Sequence, residues 1–238
     1  MPKTVLMETS LHRELKSRYA IGTAQTEVRV GSYRIDVVTD RELVEIQHGS
    51  LSSIRDKVRR LLDDHRVLIV KPIVVRKTLI KQGTKDGEVC SRRMSPKRGT
   101  FLDVFDELVH FTRVFPHPRL SLEVVLVEIE EWRYPGHGRR RRWRRNDHVV
   151  ADQILTSVGE SRRVRTAADL ELLLPGRLPA KFHTGELAAS LSISRPIAQR
   201  VAYCLREMGA IKQVGKQGNA IVYQRTARAT RKRKKRAA

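Results

Sequence analysis

Asp36 and, nine residues on, Glu45 with Gln47 are the side chains whose types and spacing can do chemistry. In Arg34-Ile35-Asp36-Val37-Val38, Ile35 and Val37 share one face of an extended chain, so Asp36 projects from the other. In Leu43-Val44-Glu45-Ile46-Gln47, Val44 and Ile46 share a face, and Glu45 and Gln47 project together on the opposite side. Thr39-Asp40-Arg41 suits a tight turn between the two runs, which lets the carboxylates converge. Two half-buried carboxylates repel unless something positive lies between them, and a divalent cation is the usual solution. Mg²⁺ (or Mn²⁺) fits Asp36 and Glu45 best, because it takes one or two carboxylates, keeps several waters and completes its shell with substrate phosphate. The plainer alternative is that both acids are strand-edge surface charges.

The elements around them narrow the choice. Leu11, Leu15 and Tyr19 mark a helix preceding the strands. At about 100° per residue Glu8 lies within about 20° of the centre of their common face, and Glu14 about 100° away. A carboxylate on an apolar face is costly to bury alone, so Glu8 is the better third acid, and Glu27, on the strand Glu27-Val28-Arg29-Val30, is the other. After the strands, Ile54, Val58, Leu61 and Leu62 form a helical stripe with Lys57 on its border, within reach of the acids. Arg66 to Val75 reads as a largely buried strand, and His48 and His65, without ligand-spaced partners, read as structural.

The second half carries a different pattern. Thr184 can cap a short helix to Leu191, and Ser194 a second one in which Ile197, Val201, Cys204, Leu205 and Met208 form one apolar stripe. Arg195, Gln199, Tyr203 and Arg206 occupy its opposite face, and Gly209 ends it. Residues 211–224 follow as a hairpin bearing Lys212 and Lys216. Helix, turn, helix and wing in this order resemble a winged helix-turn-helix, whose second helix reads base edges while the wing meets phosphate.

Composition points the same way. The 238 residues carry a formal net charge of +22, far beyond what solubility needs, and such a surface recruits polyanions, nucleic acid first. Part of that charge is the run Arg139, Arg140, Arg141, Arg142, Trp143, Arg144 and Arg145, a phosphate-binding segment whose Trp143 can stack on a base. Another part is the tail 227–238, which has no apolar periodicity and is expected to be disordered. No apolar run is long enough for a membrane span, and the first residues lack the pattern of a signal peptide, so a cytoplasmic, nucleoid-associated protein is expected. Cys90 and Cys204 have no Cys-x-x-Cys partner, which excludes a zinc knuckle, and Cys204 belongs to the helical stripe.

The order Glu8, Ser10-Leu11-His12, Asp36, Val44-Glu45-Ile46-Gln47 and a Lys-bearing helix resembles the PD-(D/E)XK nuclease superfamily, especially its Holliday-junction-resolvase-like and CoiA-like branches. It is similar still to an uncharacterised bacterial family that joins such a domain to a C-terminal winged helix. Ser95-Pro96-Lys97-Arg98-Gly99 and Ala202 to Ile211 carry that likeness as well. The pattern along the chain sets a mixed α/β unit at 1–134 and an Arg-rich linker with a short helix at 135–177, and the resemblance implies that the first is an α/β restriction-endonuclease-like domain, a mixed sheet flanked by helices. It further implies an α+β winged helix-turn-helix at 178–226. Glu8, Asp36, Glu45, Gln47 and Lys57 would form the catalytic set, with the metal on Asp36 and Glu45. Gln47 stands where the superfamily most often has lysine, and in some members that lysine has moved to the following helix, where Lys57 lies. The implied activity is metal-dependent hydrolysis of DNA without a small-molecule cofactor. The alternative is a DNA-binding regulator on an inactive nuclease-like scaffold, and homodimerisation is left open.

Overall fold

The computed structural model describes residues 8–136 and 147–226. The chain opens with helix α1, Ser10–Tyr19, whose N-cap Thr9 accepts a bond from the His12 N–H. Strands β1, Gln25–Val30, and β2, Tyr33–Val38, form a hairpin whose turn places Gly31 at φ 57°, a backbone shape that favours glycine. Strand β3, Leu43–Ile46, is buried throughout. A 3-10 turn, Leu51–Ile54, and helix α2, Arg55–Leu61, then cross over to β4, Val67–Gln82, which pairs with β3 in parallel. Next come β5, Val89–Met94, helix α3, Val104–Leu108, and β6, Leu120–Pro135, parallel to β4. Strand β7, His148–Val164, runs antiparallel to β6, giving the order β1-β2-β3-β4-β6-β7 with β5 on β4. The result is a large mixed sheet flanked by helices, as expected.

One face is covered by α1, through Leu11 and Leu15 against Val37, Val44, Ile46, Leu68, Val70 and Val125. On the other face Val58, Leu61, Val104, Phe105 and Leu108 of α2 and α3 pack against Ile69 and Val124. Strand β4 bears the fold's main concession to polarity, because it buries Lys71 in that second layer at 4% exposure. Strand β6 buries Glu131, which is held by Lys77, Arg133 and Gln153, the last at 2.9 Å. Burial alone would raise the Glu131 carboxyl, but these donors outweigh it and hold the group down at about 2. A depressed carboxyl stabilises the fold above its unfolded value near 4.5, and that contribution fades as pH falls toward 2. Glu131→Gln is therefore expected to cost up to about 3 kcal/mol at pH 7 and less than half of that at pH 3, read from urea unfolding of both proteins at the two pH values.

One boundary differs from the sequence reading. The segment 135–177, expected as a linker, contributes the whole of β7, so the sheet unit extends past 134 to Val164. Most of β7 is half-buried or exposed, and three register shifts against β6 interrupt its alternation, which removed the period-two signal. The short helix expected in that segment is a 3-10 helix, Ala167–Leu173, capped by Thr166. Strand β5 also gave no signal, since all six residues are exposed.

The C-terminal portion comprises β8, Lys181–Phe182, α4, Thr184–Ser190, α5, Arg195–Glu207, β9, Ile211–Gln217, and β10, Ala220–Arg225, with sheet order β8-β10-β9. Its helix, turn, helix and hairpin follow the expected order, and Gly209 ends α5 at φ 83°. The caps differ from expectation. His183, not Thr184, caps α4, its Nδ1 accepting from the Gly185 and Glu186 N–H groups, and Ser194 makes no side-chain cap bond. Helix α5 buries Ala198, Val201, Ala202, Cys204 and Leu205 in the same apolar core that fills the α2–α3 layer. Cys204 donates its S–H to the Phe105 carbonyl at 3.6 Å, and Arg200 pairs with Asp106.

Candidate active site and nucleic-acid surface

Strands β2 and β3 pair only at Val37 with Val44 and Val38 with Leu43, and then part. Asp36 stands in the fork. Its Oδ2 accepts the Ile46 N–H at 2.7 Å in place of a strand partner, and its Oδ1 lies 3.1 Å from His12 Nε2 on α1. Glu45, 5% exposed, meets Lys57 Nζ of α2 at 2.6 Å, and the same ammonium donates to the Arg34 carbonyl at 2.6 Å. The two carboxylates feel opposite environments. Burial would raise Asp36, but the hydrogen bonds from His12 and Ile46 overcome it and keep the group below its ordinary value. Burial pushes Glu45 up to about 7; Lys57 pulls it back and the Asp36 charge adds to the rise. His12 is raised, because its bond to Asp36 outweighs its own desolvation.

Glu8 extends this cluster, 3.7 Å from His12 and 2.6 Å from Lys16, whereas Glu14 is exposed on α1. Glu27 has φ 58°, which breaks the expected alternation of β1, and its carboxylate pairs with Lys16 and Arg34 rather than standing with Asp36 and Glu45. Gln47 turns away as well. Its amide donates to the Ser50 carbonyl at 2.8 Å and Ser53 Oγ at 3.0 Å, so it braces the turn after β3. Lys57 does reach the acids, as its place on the helix border implied.

Among the described residues no group of three or more His, Cys, Asp or Glu is arranged to hold a metal ion. The donor chemistry of the fork nonetheless suits a hard cation, with two carboxylates from adjacent strands, although the buried Glu45 Oε1 is now held by the Lys57 ammonium. Three participants were not foreseen. His12 lies one turn beyond Glu8, a spacing visible in the sequence, but its aim at Asp36 depends on how α1 crosses the fork. Lys71 donates to the His48 carbonyl at 3.0 Å, and Glu107 accepts from Leu51 N and Ser50 Oγ at 2.9 and 2.8 Å, so together they fix the loop that follows Glu45.

On the C-terminal portion Arg195, Gln199 and Tyr203 are exposed along α5 as expected. Arg206 is half-buried, 5.7 Å from the Tyr203 ring centre and paired with Glu207 at 2.6 Å. Lys212 and Lys216 are exposed on β9. The Arg139 to Arg145 run with Trp143, and the tail 227–238, lie outside the described residues. No helix among the described residues is long and apolar enough to cross a membrane.

The chain is similar to an uncharacterised protein of Treponema pallidum (strain Nichols), 31% identical over 182 residues that cover 76% of this chain and 71% of the relative. No solved structure matches it. A family model described as a domain of unknown function, DUF8091, matches residues 9–165, from the cap of α1 to the residue after β7. The match takes in the whole fork and the large sheet, and by it the chain belongs to the DUF8091 family.

Proposed function

We propose that the protein is a metal-dependent DNA endonuclease of the PD-(D/E)XK type, in which a restriction-endonuclease-like sheet carries the cutting site and a C-terminal winged helix-turn-helix grips the duplex. The observation that carries this reading is the fork. Asp36 replaces a strand partner at Ile46 N–H, beside a buried Glu45 and an ammonium from the following helix. Asp36 and Glu45 would hold Mg²⁺ or Mn²⁺, which supplies a Lewis acid for the phosphoryl oxygen and lowers the pKa of water. His12 keeps Asp36 ionised and aimed, and Glu8 acts on the fork only through His12. Glu45, protonated more readily than an ordinary glutamate, would have to be ionised to hold the cation. Lys57 keeps the Arg34 carbonyl as its anchor and offsets charge on the attacked phosphate, the part that Gln47, bound to the Ser50–Ser53 turn, leaves open.

That engagement of Gln47, together with the internal neutralisation of both acids by His12 and Lys57, favours one second reading: a DNA-binding regulator that has kept the scaffold without cleavage. Incubating the full chain with linear, branched and single-stranded DNA in Mg²⁺ or Mn²⁺ separates the two. Cutting is expected, and a folded preparation that cuts none of them leaves the regulator.

Sequence preference rests on α5 in this reading. Replacing Arg195, Gln199 and Arg206 by alanine is expected to reduce discrimination between two unrelated duplexes by about tenfold or more, at about 1–3 kcal/mol for each base pairing removed. Competition binding at one salt concentration reads it, and unchanged discrimination places the reading surface elsewhere.

A further inference from the structure

We propose that the β4–β5 hairpin is an arm that grips the phosphate backbone of duplex DNA about one helical turn from the fork. The placement rests on the fork being the cutting site; the grip itself does not. One edge of β4 links the two regions. Strand β3 covers only Val67 to Val70 of that edge, and β5 covers Thr78 to Gln82. Between them the chain returning from β5 is pinned to the same edge, with Ser95 N–H on the Lys77 carbonyl at 2.8 Å and Gly99 N–H on the Val74 carbonyl at 3.1 Å. A side chain at Gly99 would collide with the Val74 carbonyl and with Ile73, so the Ser95 to Gly99 segment can lie here only with glycine at that position.

Charge is what this edge offers a partner. Residues 76–98 contain eight Lys and Arg against two Asp and Glu. Lys81, Lys85, Arg93 and Lys97 are exposed, and none has a carboxylate within 4 Å among the described residues. The acids close to the arm's base are already engaged. Glu131 is shared by Lys77 and Arg133, Asp106 is paired with Arg200, and Glu107 accepts from Leu51 N and Ser50 Oγ. A cavity of about 450 Å³ lies on this edge between fork and arm, lined by Lys71, Lys77, Lys97 and Arg133 together with the engaged Asp106 and Glu107 and with Asp103, which accepts the Thr100 N–H.

The partner must be a long polyanion. β5 is exposed on both faces, and its Arg92 and Arg93 would repel a second copy paired edge to edge. Val70 is level with Ile46 beside the fork. Lys77 and Lys81 lie about 23 and 36 Å farther along β4 at about 3.3 Å per residue, which spans about 7 to 11 base pairs at 3.4 Å each. Arg133 is level with Lys81, so Pro135 and His148, the paired ends of β6 and β7, lie at the same end of the sheet as the arm.

The test compares the full-length protein with Lys81→Gln/Lys85→Gln/Arg93→Gln/Lys97→Gln on a 30-base-pair duplex in EDTA, where cutting plays no part. Each phosphate neutralised contributes about 0.9 to the slope of log K against log salt, so freeing two to four phosphates should flatten it by about 1.8–3.6. The melting temperature should be unchanged, because no ion pair is removed. Hydroxyl-radical protection about 7–11 base pairs to one side of the fork should disappear in the variant. The opposite change, Asp86→Asn/Glu88→Gln, should tighten binding several-fold at low salt. An unchanged slope in the fourfold variant overturns the arm even if the protein cuts DNA. A flattened slope in a protein that cuts nothing sustains the arm while the nuclease reading falls.

Discussion

Asp36→Asn is expected to abolish DNA cutting, with single-turnover rates in Mg²⁺ down at least about 10³-fold, while the Kd for the same duplex in EDTA changes less than about twofold. The two effects should separate because the cations proposed to meet phosphate are spread over α5, β9 and the β4–β5 arm, whereas the fork contributes two acids that would repel it. Asparagine is the informative substitution. It keeps an oxygen to accept the Ile46 N–H, whose loss in an alanine variant would strand a buried donor at about 1–3 kcal/mol. It removes only the charge, which His12 now stabilises from 3.1 Å. Glu45→Gln should behave the same way, since Lys57 retains the Arg34 carbonyl without Glu45. A variant of either kind that cuts at the wild-type rate would show that the acids are scaffold.

The acid of β3 was legible because Val44 and Ile46 share one face, whereas β2 departs from the alternation read in its sequence. In β3 Val44 and Ile46 lie under α1 and Glu45 projects toward the Lys57 helix, as alternation required; in β2 Ile35 packs in the α2–α3 layer and Val37 under α1, so the two do not share a face, and Asp36 at that break meets His12 of α1. The same one-sidedness exposed the α5 stripe. Elements without an apolar face left no such signal. β5 is exposed on every residue and β7 slips register three times, so a sheet edge reads as connecting chain and linker. The departures at single residues have local causes. Glu27 adopts φ 58°, which rotates it out of a strand's alternation, and His183 outcompetes Thr184 because its ring reaches two N–H groups at once. Gln47 had the right parity for the site, yet the hydroxyl and carbonyl of the Ser50–Ser53 turn lie closer to its amide, and no pattern in the strand announces them.

If the proposed reading of the protein holds, base reading and cutting would be coupled, because α5 shares a core with the sheet rather than hanging from a tether. Phe105 is fully buried in that core, its carbonyl accepts from Cys204, and the adjacent Asp106 holds Arg200. Phe105→Ala should therefore cost about 3–5 kcal/mol, a large share of a total stability of about 5–15 kcal/mol. The cost should be felt on both sides of the interface. Amides of β4 and of α5 are expected to exchange with the same opening free energy, and the substitution should lower both equally. Hydrogen exchange resolved by segment checks this, with Phe105→Leu as the milder change if the alanine variant does not fold. Rigid docking gives the exposed Arg195–Gln199–Tyr203 face a fixed distance from the fork, so that a base-reading helix would set where along the duplex the strand is cut. If α5 amides exchange freely while β4 stays protected, and Phe105→Ala changes only the latter, the C-terminal portion folds and moves on its own. Cutting position would then vary with the linker and not with the helix.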